Sequence, residues 1–386
     1  MSNIQSQAAY LTKARAYPLV ISDAPHTILQ PNTIRVRVHA LAINPVDHIF
    51  QTQGTSLAYQ WLKYPLVLGS DIAGTVVEIG ESVQNFSIGD RVLGQCLGTD
   101  KAYVDSQNAE AGFQEYSVLR AHMSSIIPDT LSFEQACVVP LGLSTASCGL
   151  FQQDYLGLEL PRPGKVIPKG RAVLIWGGST SVGTSAIQLA AASGYDVITT
   201  CSPKNYDYCR SLGAKHCFDY NSPTAGQEIL AALQDKVCVG AMAIGTNSAL
   251  ACVDILSKHD FKSSKDGITQ PVRKFVSVVS GPELLSPDES LATLRTISRF
   301  LVFGVSLIYK SWRHNIGWKF VIGTAPARNE VGQAMYNDFL PAALKSGQFR
   351  ALPEAKVVGH GLEKVQEAMD TLKGGVSARK IVVTLV

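Results

Sequence analysis

The segment from Arg171 to Ser193 constrains this chain more than any other. Arg171 to Trp176 is a short apolar run, Gly177 to Gly183 reads Gly-Gly-Ser-Thr-Ser-Val-Gly, and Thr184 to Ser193 has helical periodicity. A strand, a tight glycine turn and a helix in that order let the backbone approach a pyrophosphate and aim the helix's unpaired N–H groups at it. Asp196 to Thr200 supplies a second strand and completes a βαβ unit. Strand candidates at Val237 to Ile244 and Lys274 to Val279 extend the same sheet, so the middle of the chain is expected to be α/β with a doubly wound parallel sheet.

The turn departs from the usual dinucleotide fingerprint in one place: read as G-x-x-G-x-x-G, its middle position is Thr180. Pattern alone leaves two readings, a dinucleotide site and a purely structural strand-to-helix turn, and the βαβ context favours the first. The end of the second strand bears on which dinucleotide. NAD sites place an Asp or Glu there, about 20 residues after the glycines, to hold the ribose hydroxyls. Here the segment reads Thr199-Thr200-Cys201-Ser202-Pro203-Lys204-Asn205, with hydroxyls and a lysine but no carboxylate. A 2′-phosphate needs donors and a cation, so NADPH suits this segment better than NADH. Taken alone, Lys204 reads equally well as a solvated loop lysine.

With 386 residues, 46% of them hydrophobic and 17% charged, the chain is long enough for two domains with ordinary cores. A formal charge of +3 over that length gathers no polyanion, so nucleic acid is not expected as a partner. Met1 to Tyr17 lacks the apolar run of a secretory signal, and no stretch reaches the roughly 18 to 20 apolar residues that span a bilayer. The best candidate, Phe300 to Tyr309, is about half that length. A cytoplasmic protein without a membrane partner is the expectation. Eight scattered cysteines, with no Cys-x-x-Cys and no zinc-type spacing, read as reduced and mostly buried thiols.

On either side of the α/β segment the patterns differ. From Ile34 to about Pro140 the runs are short and strand-like: Ile34 to Ile43 alternates, Gly74 to Ile79 is β-branched, and Gly89-Asp90-Arg91-Val92 closes a turn. Such spacing suggests a compact β-barrel. Pro161 to Lys169 reads as a connection and Lys262 to Pro271 as an exposed loop. Asn329 to Ser346 and Gly361 to Lys373 read as helices, and Lys380 to Val386 as a last strand able to return to the first domain.

Read in order, these features resemble the medium-chain dehydrogenase/reductase superfamily over essentially the whole chain. The matching segments include Ala42-Ile43-Asn44-Pro45-Val46-Asp47, Leu68-Gly69-Ser70-Asp71-Ile72-Ala73-Gly74, Gly89-Asp90-Arg91-Val92, Gly112-Phe113-Gln114-Glu115-Tyr116 and Pro140-Leu141-Gly142-Leu143-Ser144-Thr145-Ala146. The series continues through the glycine turn, Ser202-Pro203-Lys204-Asn205, Leu212-Gly213-Ala214, Phe218-Asp219-Tyr220 and Ser377-Ala378-Arg379-Lys380. Within the superfamily the chain looks like the fungal CipB-like "zinc-binding oxidoreductase" branch, through Cys148 to Leu158, and more distantly like trans-acting enoyl reductases and quinone oxidoreductases. The resemblance implies a GroES-like β-barrel catalytic domain made of residues 1–140 and 325–386. A Rossmann NADPH-binding domain of residues 141–324 is inserted, with the active site in the cleft between them.

The branch's metal is not expected to follow. Where zinc dehydrogenases of the superfamily place a cysteine ligand this chain has Asn44, and where they place Gly-His-Glu it has Gly69-Ser70-Asp71. The cysteine-rich lobe of a structural zinc is absent too. Cys137, His48 and Asp71 are the residues a metal could recruit, but a closed zinc site wants thiolates or imidazoles in tetrahedral array. No metal is therefore expected. Without a Lewis acid an isolated ketone is harder to reduce, because its localised alkoxide has little to stabilise it. In a conjugated acceptor the incoming charge spreads into an enolate or phenolate, so an enone, an enoyl thioester or a quinone is the expected small-molecule substrate.

Candidate residues follow from the resemblance. Asn44, Pro45 and Asp47 match the family's N-P-x-D element beside the nicotinamide, and Thr145 matches a threonine at the cleft. The local alternative is that Asn-Pro marks a turn which Asp47 caps. Some polyketide enoyl reductases carry a lysine two residues after that Asp, but Ile49 stands here, which weakens transfer of their substrate. Tyr59 and Tyr64 are candidate proton donors, or else packed aromatics. Gly178, Ser179, Thr180, Ser181, Val182 and Gly183 are expected at the pyrophosphate. Cys201, Ser202, Lys204 and Tyr220 are expected around the 2′-phosphate, and Gly245 on the nicotinamide side. Arg379 and Lys380 are either solvated charges or cofactor contacts. The rivals are an alcohol dehydrogenase or carbonyl reductase of the same superfamily and an NADPH-binding protein without turnover. A homodimer is compatible with a family whose members occur as monomers, dimers and tetramers.

Overall fold

The computed structural model of the chain describes residues 6–55, 59–259, 273–283 and 291–386. The loop expected at Lys262 to Pro271 lies outside the described residues. The chain divides into two compact units, Met1–Leu141 with Ala327–Val386, and Gly142–Pro326.

In the first unit the strand Thr33–Ala42 is the hub. Its sequence alternates Ile34, Val36 and Val38 with Arg35, Arg37 and His39, and it pairs antiparallel with Asp71–Ile79, Tyr116–Arg120 and Arg379–Thr384. Arg91–Gln95 and Ser124–Ile126 continue the sheet on one side, and Glu354–His360 flanks Arg379–Thr384 on the other. Val20–Asp23, Gln7–Leu11 and Leu66–Val67 make a second, three-stranded sheet. One core joins them, with Val36, Leu41, Phe50, Leu68, Phe113, Ile381 and Val383 buried together. The final strand thus returns to this unit.

The stretch expected as one helix from Asn329 to Ser346 is helical with a fault in it. Asn329 caps the start by accepting from the Val331 N–H at 3.0 Å, and the turns over Ala334–Phe339 are of the wider π type. Pro341 explains the fault, because a proline has no N–H to give to the carbonyl four residues earlier.

The second unit is a six-stranded, wholly parallel sheet. Its spatial order is Ala214–Phe218, Asp196–Thr200, Arg171–Trp176, Val237–Ala243, Phe275–Val278, Gly317–Phe320. Chain order reverses between Arg171–Trp176 and Val237–Ala243, the switch point of a doubly wound sheet, where ligands bind at the carboxyl ends of the strands. The four inner strands are mostly apolar runs because helices cover their faces, and the two edge strands, AKHCF and GWKF, are not. Helix Ser181–Ala192 is buried nearly throughout, from Gly183 to Ala190 without interruption. Elements beyond the expectation include the edge strands Ala214–Phe218 and Gly317–Phe320, the helices Ala225–Leu233 and Ser248–Lys258, and the 22-residue helix Ala292–Arg313 that contains the apolar run Phe300 to Tyr309.

All eight cysteines are buried and free. Among the described residues no helix is long and apolar enough to cross a membrane.

Candidate active site

The second unit carries the glycine turn and the residues expected at the nucleotide. Strand Arg171–Trp176 ends at Gly177, whose N–H is held by the Thr200 carbonyl at 3.2 Å and Thr200 Oγ1 at 3.1 Å; the Gly178 N–H reaches the same carbonyl at 2.8 Å. Thr180, the residue that departs from the fingerprint, is the helix cap. Its Oγ1 accepts from the Gly183 N–H at 3.0 Å and donates to the Gly177 carbonyl at 2.8 Å, closing the turn on itself. That cap starts the helix at Ser181, three residues before the sequence suggests, and places Ser181 and Val182 in its first turn. Their N–H groups make no hydrogen bond among the described residues. They are the unpaired helix-end donors that an anion accepts.

The glycines are required by contact. A Cβ on Gly178 would lie 2.2 Å from Thr199 Oγ1, and one on Gly183 2.2 Å from the Gly177 carbonyl oxygen. At Gly245, with φ +102°, a Cβ would meet nothing within 4 Å, so the backbone there borders open space. Its N–H is fixed by Ser280 Oγ at 3.0 Å, a partner the sequence does not flag. A tight turn, unpaired helix-end donors and open space at the switch point fit a dinucleotide.

Past the next strand, Ser202 Oγ and the Tyr220 hydroxyl meet at 3.1 Å, and Lys204 is exposed in the short turn Pro203–Asn205. Lys204 has no ion-pair partner among the described residues. Cys201 differs from the expectation: its side chain is fully buried beneath this segment, so only its backbone is placed to shape the loop.

The first unit gathers candidates of its own, through sheet register. Val382 pairs with Ala42, which sets Lys380 opposite Asn44, and Asp71 pairs with Ala42 on the other side. Asn44 Nδ2 donates to Asp71 Oδ2 at 2.9 Å, and Lys380 Nζ lies 2.8 Å from the same oxygen while also donating to Asn44 Oδ1. The remaining Asp71 oxygen accepts from the Leu141 N–H at 2.6 Å, at the start of helix Pro140–Phe151. The Lys380 side chain is 4% exposed and that of Asp71 is fully buried. Lys380 is thus not the solvated charge that was one reading of it; its ammonium is committed to Asp71 and Asn44. Arg379 stays exposed, 3.9 Å from Glu354.

Asp47 realises the local reading of its motif. It sits at the start of helix Pro45–Gln53, where Oδ2 accepts from the Asn44 N–H at 2.8 Å and Oδ1 from the Gly69 N–H at 3.3 Å. Burial pushes its carboxyl up to about 7, against the pull of the Asn44 N–H, with Asp71 adding to the rise and Lys380 opposing it. Thr145 is buried in helix Pro140–Phe151. Tyr59 packs edge-on against Phe50 at 4.6 Å and Trp61 at 5.3 Å, as a core aromatic does. The Tyr64 hydroxyl is buried with no hydrogen-bond partner among the described residues.

Of the residues a metal could recruit, Asp71 is taken by Lys380, the thiol of Cys137 is driven well up by burial, and His48 Nδ1 is buried without a partner. Among the described residues no three His, Cys, Asp or Glu side chains come together as a metal site.

Residues 30–129 match the family described as alcohol dehydrogenase GroES-like domain. The chain is 45% identical to the dehydrogenase pigH of Monascus ruber, over 98% of this chain and 99% of that protein. It is 35% identical to the trans-enoyl reductase himH of Aspergillus japonicus, over 100% and 99%. Its fold matches an alcohol dehydrogenase superfamily protein from Novosphingobium aromaticivorans with a TM-score of 0.71, at 22% identity over 99% and 100% of the two chains. A GroES-like unit carrying a doubly wound nucleotide unit defines an oxidoreductase that works with a nicotinamide cofactor. The chain belongs to the medium-chain dehydrogenase/reductase superfamily.

Proposed function

We propose that this oxidoreductase passes a hydride from NADPH to a conjugated acceptor, an enone, an enoyl thioester or a quinone, and does so without zinc. The observation that carries the proposal is the buried Lys380–Asp71–Asn44 cluster. Within it Asn44 stands where the zinc dehydrogenases of the superfamily place a cysteine ligand, and Asp71 closes the segment where they have Gly-His-Glu. An ammonium occupies acceptor oxygens of the carboxylate and the carboxamide, and a fixed cation there does not bind an alkoxide as an open metal does. Charge delocalised into an enolate or phenolate needs only one or two hydrogen-bond donors. The trans-enoyl reductase among the relatives supports the enoyl class.

The cofactor supplies the hydride, and the chain's residues bind and orient. Ser179, Thr180, Ser181 and Val182 hold the pyrophosphate, and Ser202, Tyr220 and Lys204 hold the 2′-phosphate. Gly245, on open space, lies on the nicotinamide side. Of the two amide hydrogens on Asn44 one goes to Asp71, and the other is assigned to the acceptor or the nicotinamide amide. Asp47, held by two backbone N–H groups, positions Asn44. Tyr64, with its unpartnered hydroxyl, is a better proton donor than the packed Tyr59.

Stopped-flow absorbance at the nicotinamide band tests this, with metal-stripped protein, NADPH and a panel of enones, quinones and aldehydes, with and without added zinc. Oxidation by the conjugated acceptors, indifferent to zinc, is expected. Turnover only with zinc and only on aldehydes would replace the proposal with an alcohol dehydrogenase, and NADPH binding with no turnover would replace it with a non-catalytic binder. Lys204→Ala should raise KM for NADPH about 10- to 100-fold, the loss of one charged hydrogen bond, and leave NADH nearly unchanged. Equal losses for both cofactors would remove Lys204 from the 2′-phosphate site.

A further inference from the structure

The helix Ala292–Arg313 has one face accounted for. Phe303 and Leu307 are buried in the core of the parallel sheet, with Val276, Val278 and Ile316. The opposite face is apolar as well: Leu294, Leu301, Val305, Ile308, Tyr309 and Trp312 are between 57% and 79% exposed. At about 100° per residue these six fall within an arc of roughly 100°, along about 27 Å of helix. A single exposed leucine is ordinary, but a stripe of this size, interrupted by Ser298, marks a surface that meets another apolar phase.

Charge identifies that phase. The helix carries Arg295, Arg299, Lys310 and Arg313 and no Asp or Glu. Lys310 turns inward to Asp254 at 2.7 Å, while Arg299 and Arg313 are exposed, and the three arginines follow one edge of the apolar arc. We propose that this face lies in the headgroup layer of an anionic lipid surface, with the apolar stripe in the acyl boundary and the arginines at the phosphates. Helices that rest in a membrane plane have this make-up, basic on the flank with Trp, Phe and Leu on the inserted side. Tyr309 and Trp312 add rings with a polar tip, which favour the lipid–water boundary. A second copy of the chain fits less well. Two-fold antiparallel pairing of this face lays the arginine edge against the same edge of the copy, with no carboxylate on either helix to separate them.

Co-sedimentation of the full chain with phosphatidylcholine vesicles, with and without phosphatidylserine, tests the assignment. Binding to the phosphatidylserine vesicles alone, released by salt, is expected. Arg299→Gln with Arg313→Gln should lower the partition coefficient roughly 25-fold, about fivefold for each basic residue removed from the surface. Val305→Gln with Ile308→Gln should lower it too, and since all four positions are exposed the thermal unfolding transition should stay in place. Absence of wild-type binding, or binding that neither pair of substitutions weakens, would overturn the proposal. So would a dimer in solution that Val305→Gln with Ile308→Gln dissociates, which would give the face to a second copy.

Discussion

Lys380→Met is expected to cost the fold about 3 to 5 kcal/mol, the usual penalty for removing one partner of a buried ion pair. The methionine fills the space, so the loss is electrostatic. Asp71 is fully buried, and without the ammonium its charge is left with the Asn44 carboxamide and the Leu141 N–H alone. Asn44 Oδ1 loses the Lys380 donor in the same step. Lys380→Met with Asp71→Asn should recover most of the loss, because an asparagine oxygen can still accept from Leu141 and no buried charge remains. Urea unfolding with matched m-values measures both variants. A single variant within about 0.5 kcal/mol of wild type, the range of ordinary surface changes, would mean the pair is not buried as described. A double variant no more stable than the single would mean that packing rather than charge carries the loss.

This cluster also marks where the sequence stops being legible. Lys380 and Asp71 are visible one at a time, as charges set into apolar strands and as members of two separate family-like segments, with nothing to link them. Their meeting depends on two antiparallel registers sharing Ala42, which no local pattern encodes. The inner part of the parallel sheet was legible for the opposite reason: its four inner strands are short, mostly apolar runs followed by turn residues, and its glycines report close contacts at the turn. Thr180 looked like a defect in the fingerprint because its hydroxyl acts as a cap only once the chain has turned. Helix Ala292–Arg313 was hidden by its own composition. No Ser, Thr, Asp or Asn stands at its N-cap, which is Leu291, and no acidic residue marks its first turn, so Phe300 to Tyr309 taken alone reads as a bare hydrophobic run.

Gly183→Ala is expected to weaken NADPH and NADH alike, by about 100-fold or more. The added Cβ would stand 2.2 Å from the Gly177 carbonyl oxygen, well inside van der Waals contact, and both partners are backbone. The turn has to open by about an ångström, the scale of misplacement that costs about 100-fold in positioning. Opening it pulls the Gly183 N–H from Thr180 Oγ1, releases the cap, and swings the Ser181 and Val182 N–H groups away from the position proposed for the pyrophosphate. That pattern separates the variant from Lys204→Ala, whose loss falls on NADPH alone, because the pyrophosphate is common to both cofactors and the 2′-phosphate is not. Titration of intrinsic fluorescence with each cofactor reads the affinities, and the unfolding transition shows whether the variant still folds. Weak binding by a folded variant assigns the turn to the pyrophosphate. Wild-type affinity for both cofactors would leave the turn as a structural link between strand and helix, and the nucleotide would have to be held elsewhere.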